Sequence, residues 1–174
     1  MKAEVNDSAK PSAGKIVDKG VDKGEVRPKS SRRRAREFVL QGLYAWQISK
    51  GSAADIEAAF ATEKGFNNTG FDKADRRMFS ALLAGTIREA TDLETELKPL
   101  LDRGFEELSP VERAVLLLGA YELKHLVEVP YRVIMNEAID LAKSFGGTDG
   151  HKFVNGVLDK LVRKLRPYEV AEKR

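Results

Sequence analysis

An all-α protein of two packed helical halves is what this sequence predicts. Three observations carry that expectation. From Ser31 onward, apolar residues recur at three- and four-residue spacing and strand-like alternation is missing. Glycine and proline fall between the periodic segments rather than every few residues. Ser109, Pro110 and Glu112 form a complete helix-start signature, with a cap, a proline at the first position and the acid of a capping box.

Residues 1–30 read as a disordered basic tail. Their near-repeat IVDKGVDKGEV offers too little apolar surface to offset chain entropy. The first helix opens at a Ser30/Ser31 cap, runs to about Ser49 and is ended by Gly51. The second covers about 53–64 with Ser52 as its cap, and Gly65–Phe71 is a loop. The third runs from near Asp72 to about Ala90, and TDLETELKPLL supplies a fourth with Pro99 in its end. The fifth follows Ser109. Its segment VERAVLLLGAYEL is apolar nearly all round, as in a helix wrapped by others, which places it at the centre of the second half. The sixth opens at Pro130 and stops at Gly146. The seventh opens after Thr148 and Asp149 and reaches about Leu165, before Pro167. About seven helices result. The break at 102–108 divides the folded domain, residues 31–170, into halves of about 31–102 and 103–170; residues 171–174 are a short tail.

At 42% hydrophobic residues the chain can bury a real core. No apolar run approaches the roughly 18 residues of a membrane span, so a soluble protein with no membrane partner is expected. The start MKAEVNDSAK lacks the apolar stretch of a secretory signal. Cysteine is absent, which removes disulfides, thiolate metal sites and thiol nucleophiles and fits a cytoplasmic protein. The net charge of +3 is unevenly spread. Residues 1–36 hold eleven basic and five acidic residues, a net +6; the rest hold nineteen and twenty-two, a net −3. A basic arm on a mildly acidic body suits nucleic-acid binding, or is a solvated tail.

SSRRRAREFVLQGLYAWQ, residues 30–47, sets four arginines in a first helical turn, where the helix dipole disfavours cations by about 0.3–1 kcal/mol each. On a helical wheel Ala35, Phe38, Val39, Gly42 and Trp46 share a core stripe. Arg33, Glu37, Gln41 and Tyr44 lie opposite, with Arg34 and Arg36 at the two edges. Arginine, amide and aromatic ring on one face are the groups that grip single-stranded RNA: phosphate pairing, base-edge reading and stacking. The alternative is solvated arginines, with Tyr44 packed on a neighbouring helix.

GGTDGHKFVNGVLDK, residues 146–160, is the second unusual stretch. Val154, Val157, Leu158, Leu161 and Leu165 form its core stripe, and Lys152, Asn155 and Gly156 lie on the far side. A helix start with a glycine-containing loop, His151 and Lys152 can receive a phosphate. Gly156 would let a backbone or a base approach. Alternatively Phe153 fills the seam between halves, Gly156 permits tight helix packing and Asp149 is an ordinary cap.

Elsewhere Glu112 and Arg113 read as a capping box and an exposed charge, and Tyr121 as core. Glu122, in an apolar helix, needs a cation, a hydrogen bond or a protein partner. His125 near a helix end fits the dipole. Asn136, Glu137, Asp140 and Lys143 fall at helical spacing, as on a solvated face. The two histidines lack metal-protease spacing, and no glycine-rich strand-to-helix loop is present. No catalytic residue, metal, cofactor or small-molecule substrate is therefore assigned.

Four stretches resemble the NusB family of transcription antitermination factors: RRRAREFVLQGLYAWQ, the LLAG of ALLAGTIRE, LSPVERAVLLLGAYEL, and VPYRVIMNEAIDLAKSFGGTDGHKFVNGVLDK. The resemblance covers residues 32–166. The tail lies outside the resemblance, and a long preceding arm departs from compact members. The resemblance implies two three-helix-type bundles set across each other. It implies a heterodimer with NusE, a small-subunit ribosomal protein, bound to the boxA element of nascent ribosomal RNA leaders and loaded onto RNA polymerase. RNA contact carries over to Arg32, Arg33, Arg34, Arg36, Gln41 and Tyr44, and to Lys152, Phe153 and Asn155. Glu106, Glu112 and Asp149 are the candidate partner-binding residues, since a basic ribosomal protein should favour the acidic body. NusB-like domains also precede ribosomal RNA cytosine-5 methyltransferases, but those need a cysteine and a βαβ pattern, absent here. The remaining alternative is a helical protein–protein adaptor or homodimer without specific RNA binding.

Overall fold

Short polar side chains decide where four of the eight described α-helices begin. The computed structural model describes residues 28–62 and 70–172; all but the last three residues of the predicted disordered tail and most of the predicted loop after the second helix lie outside them. Ser30 accepts the backbone N–H of Arg33 at 3.1 Å and starts α1, Ser31–Ser49. Ser52 and Asp55 form a reciprocal box at the start of α2, Ala53–Ala61. Ser109 and Glu112 do the same for α5, Pro110–His125, at 3.2 and 3.0 Å. Satisfying these orphan N–H groups is worth about 1 kcal/mol per cap.

The predicted third helix starts later than its periodicity implies. Asp72 belongs to a 3-10 turn, Phe71–Lys73, and the α-helix α3, Arg76–Arg88, is capped by Asp75. A break at Glu89 then opens α4, Ala90–Leu97. Further 3-10 turns, Lys98–Leu100 and Phe105–Glu107, fill the join between the halves. Then come α6, Tyr131–Phe145, and α7, Gly150–Leu165. An eighth helix, α8, Pro167–Ala171, adds to the expected seven.

No strand occurs among the described residues. In the N-terminal half α1, α2 and α3 pack round Phe38, Phe60, Phe71 and Phe79, whose ring centroids lie 5.0 to 5.9 Å apart. In the C-terminal half α5, α6 and α7 enclose Leu116, Ile134, Leu158 and Leu161. Each such side chain contributes about 1.5–3 kcal/mol by leaving water. Helix α5 is buried from Ala114 to Ala120 and meets α1, α3, α4, α6 and α7, as its all-round apolar sequence requires. Helix α1 faces both halves, so Leu40 and Leu43 are buried beyond the predicted stripe. Gly42 allows the approach of α3: a Cβ there would stand 2.9 Å from Leu83 Cδ1.

The far end of α5 is closed by the residues after α7. Arg166, buried, donates to the carbonyls of Leu123 at 2.8 Å, Val129 at 2.7 Å and Leu126 at 2.9 Å. Glu169 accepts the first N–H of α6, from Tyr131, at 2.8 Å, and pairs with Arg166 at 3.2 Å. Thus α8, too short to announce itself by periodicity, ties three helices together.

Candidate nucleic-acid interface

The arginine cluster of α1 does not share one face. Arg32 is exposed. The guanidinium of Arg33, one-third exposed, pairs with Asp140 on α6 at 3.1 Å. Arg34 turns toward the 3-10 turn that precedes α3: its Nη1 stands 3.2 Å from where a Cβ on Gly70 would be, and Gly70 has φ +94°. Arg36 departs most from expectation. Its side chain is buried, and its Nε donates to the Glu122 carboxylate at 2.8 and 3.2 Å. It is therefore not an edge residue available to RNA but the cation that Glu122 needed. Burial pushes the Glu122 carboxyl above its ordinary 4.5, and Arg36 pulls the other way.

Farther along α1 two of the expected residues come together. Gln41 and Tyr44, with Leu40, line a cleft of about 360 Å³ completed by Val111 of α5 and Phe145 of α6. Tyr44 and Phe145 are both exposed aromatics. Tyr44 is thus not packed away on a neighbour, and Phe145 and Val111 are cleft residues that the helical wheel of α1 could not reveal. Gln47 fixes the cleft: its Nε2 donates to the Pro110 carbonyl at 2.9 Å, joining the end of α1 to the start of α5. Glu37 is mostly covered and held by Lys29 at 2.7 Å.

The two sequence clusters meet through the first turn of α5. Glu112 next to Val111 makes the capping box, and its Oε1 lies 3.5 Å from where a Cβ on Gly150 would be, at the start of α7. From there α7 presents Lys152 and Asn155, both exposed, and Phe153, half-buried under Arg103. Asp149 occupies the cap position without a side-chain cap bond and pairs with Lys152 at 3.3 Å. Gly156 does not serve tight packing: a Cβ there would meet nothing within 4 Å. Glu106 is exposed on the 3-10 turn before α5.

Other polar residues are structural. His125 lies 2.7 Å from Glu89, whose carboxyl it holds below 4.5. Tyr121 packs on the core edge as predicted. The predicted solvated face of α6 is only partly so: Asn136 and Lys143 are exposed, Asp140 holds Arg33, and Glu137 has a buried Oε2 with no hydrogen bond. Among the described residues, no helix is long and apolar enough to cross a membrane.

A model of the NusB family matches residues 33–163. The chain belongs to the NusB family. The transcription antitermination protein NusB of Aromatoleum aromaticum is 57% identical over 143 residues, covering 82% of this chain and 95% of that one. The NusB of Ralstonia nicotianae is 53% identical over 157 residues, 90% of this chain and 98% of the other. The NusB of Cupriavidus pinatubonensis is 48% identical over 172 residues, 99% of each. A long arm before the helical domain is therefore not foreign to the NusB family. Among solved structures, T. maritima NusB superposes with a TM-score of 0.68 at 27% identity, covering 83% of this chain and 99% of that one. A structure of the antitermination factors NusB and NusE in complex with double-stranded RNA superposes with a TM-score of 0.66 at 22% identity, covering 77% and 97%. These likenesses agree with the all-α NusB fold of two three-helix-type bundles.

Proposed function

We propose that this NusB-family chain is a transcription antitermination factor that binds boxA-type single-stranded RNA of ribosomal RNA leaders as a heterodimer with NusE. The pair then helps to assemble an antitermination complex on RNA polymerase, in the cytoplasm. The role is binding, without catalysis. The observation that carries the reading is the cleft in which Gln41 and Tyr44 of α1 meet Phe145 of α6, with Arg32 and Arg33 at the start of the same helix and Lys152 and Asn155 exposed on α7. Arginines and lysine supply salt-dependent phosphate contacts; exposed aromatic rings and amides supply contacts to unpaired bases. Arg34 contributes charge at one end. Glu106, Glu112 and Asp149, near the start of α5 and of α7, offer a basic ribosomal protein its counter-charges. The complex with NusE and RNA named for a fold neighbour supports that pairing.

The test is a titration of labelled boxA-type RNA, with and without NusE, at several salt concentrations. NusE should co-purify with the chain at micromolar concentration and tighten RNA binding. Arg33→Ala with Tyr44→Ala should weaken binding and flatten the salt slope. Unchanged affinity and slope would leave a protein–protein adaptor as the better reading.

A further inference from the structure

The start of α1, the start of α3 and the turn between α5 and α6 enclose a cleft of about 480 Å³. Its floor is aliphatic: Met78, Leu82, Leu126, Val129 and the exposed Val133. No aromatic side chain among the described residues lines it, so it offers a nucleobase no ring to stack on. Arg32 and Arg77 line it and are exposed, and no carboxylate among the described residues pairs with either. Glu137 lines it too, and its Oε2 is buried without a hydrogen bond among the described residues, an acceptor that lacks its donor.

The chain enters α1 at this cleft. Ser30 is one of the lining residues. The Ser31 carbonyl accepts the Asp75 N–H at 3.0 Å, and Lys29 Nζ pairs with Glu37 at 2.7 Å. Those bonds fix the point from which the preceding residues leave the domain. Residues 16–26 read IVDKGVDKGEV, a near-repeat to which the RNA reading gives no part. Each Val-Asp-Lys-Gly unit carries an aliphatic group, an anion and a cation. The floor, the two arginines and Glu137 call for those three. Val26 is four residues from Ser30 and Val21 nine, a reach of up to about 13 and 30 Å.

We propose that this cleft is the docking site of the chain's own N-terminal arm. Val21 and Val26 lie on the floor, Asp22 and Glu25 pair with Arg77 and Arg32, and Lys23 gives Glu137 its donor. Alone, the segment has too little apolar surface to order itself. Tethered this close, it meets the cleft at an effective concentration of the order of millimolar, so a few weak contacts suffice to hold it. The docking does not depend on the RNA reading; of the residues that reading uses, the cleft contains Arg32 alone.

Trypsin reports the docking, because Lys19 and Lys23 lie within the segment. In the full chain, cleavage after these lysines, followed by mass spectrometry, should be about tenfold or more slower than in a synthetic peptide of residues 15–29, the protection that one buried valine side chain supplies. Val133→Asp with Arg77→Glu changes only exposed cleft residues. It should bring cleavage to the peptide's rate although the arm itself is unaltered. Val21→Ser with Val26→Ser leaves the helical domain untouched and should do the same, measured against a peptide with those changes. Peptide-like cleavage in the wild type overturns the docking. Slow cleavage that survives either pair of substitutions in the folded chain places the arm elsewhere and overturns it as well. Protection that grows with protein concentration puts the arm in the cleft of a second copy and overturns docking within one chain.

Discussion

Arg36 of α1 and Glu122 of α5, 86 positions apart, share a buried hydrogen bond of 2.8 Å. Each sits where its own neighbours are apolar, and each makes the other tolerable. Removing one partner alone strands a charge. Glu122→Ala or Arg36→Ala should therefore cost about 3–5 kcal/mol by urea unfolding, whereas Arg36→Met with Glu122→Leu should recover most of that loss. A double variant as unstable as either single one would mean that the pair contributes more than mutual neutralisation.

The same pair sets a pH signature. Burial holds the Glu122 carboxyl above 4.5 despite Arg36. The folded state then binds the proton more tightly than the unfolded chain does. The stability this lends is fully present below the unfolded value and is lost as pH rises through the folded one. The stability of the wild type minus that of Glu122→Gln, measured from pH 4 to 8, should fall with rising pH. A rise would show that the ion pair outweighs burial.

Gly42 is a packing test for the N-terminal half. Any Cβ there presses on the buried Leu83. Gly42→Val should lower stability by about 1–3 kcal/mol, the usual cost of overpacking, and Leu83→Ala in the same chain should relieve part of it. Chemical denaturation of the three variants decides the matter.

Asp140 holds the guanidinium of Arg33, which the proposed function assigns to RNA. A half-exposed pair of this kind is worth under about 1 kcal/mol, so Asp140→Asn should barely move Tm. With the guanidinium freed and a nearby anion removed, affinity for boxA-type RNA should rise by about twofold or more at low salt. Weaker binding would mean that Asp140 positions Arg33 rather than occupying it.

Much of this fold was legible in the sequence. Ser30, Ser52 and Ser109 mark helix starts because a cap works through its immediate neighbours alone, and Pro130 and Gly146 bracket α6 for the same local reason. The face of Arg36 was not legible that way. A helical wheel assigns one buried side, but α1 is covered by two halves, and the side chain that receives Arg36 lies across the fold. A hint existed: Glu122 stood in an apolar helix without a cation, and Arg36 flanked a core stripe. The cleft proposed to hold RNA shows the same division. Gln41 and Tyr44 follow from spacing within α1, while Val111 and Phe145 join it only through tertiary packing. Helix α8 and the bonds of Arg166 had no periodicity to betray them.

Arg166 also gives the fold a direction in time. The centre of the C-terminal half is α5, but the guanidinium that closes its exit and the turn beyond it comes more than forty residues later in the chain. A ribosome delivers those residues after the helices they tie together. The helix at the heart of the molecule therefore waits, its terminal carbonyls without their guanidinium, until translation has nearly finished the domain that surrounds it.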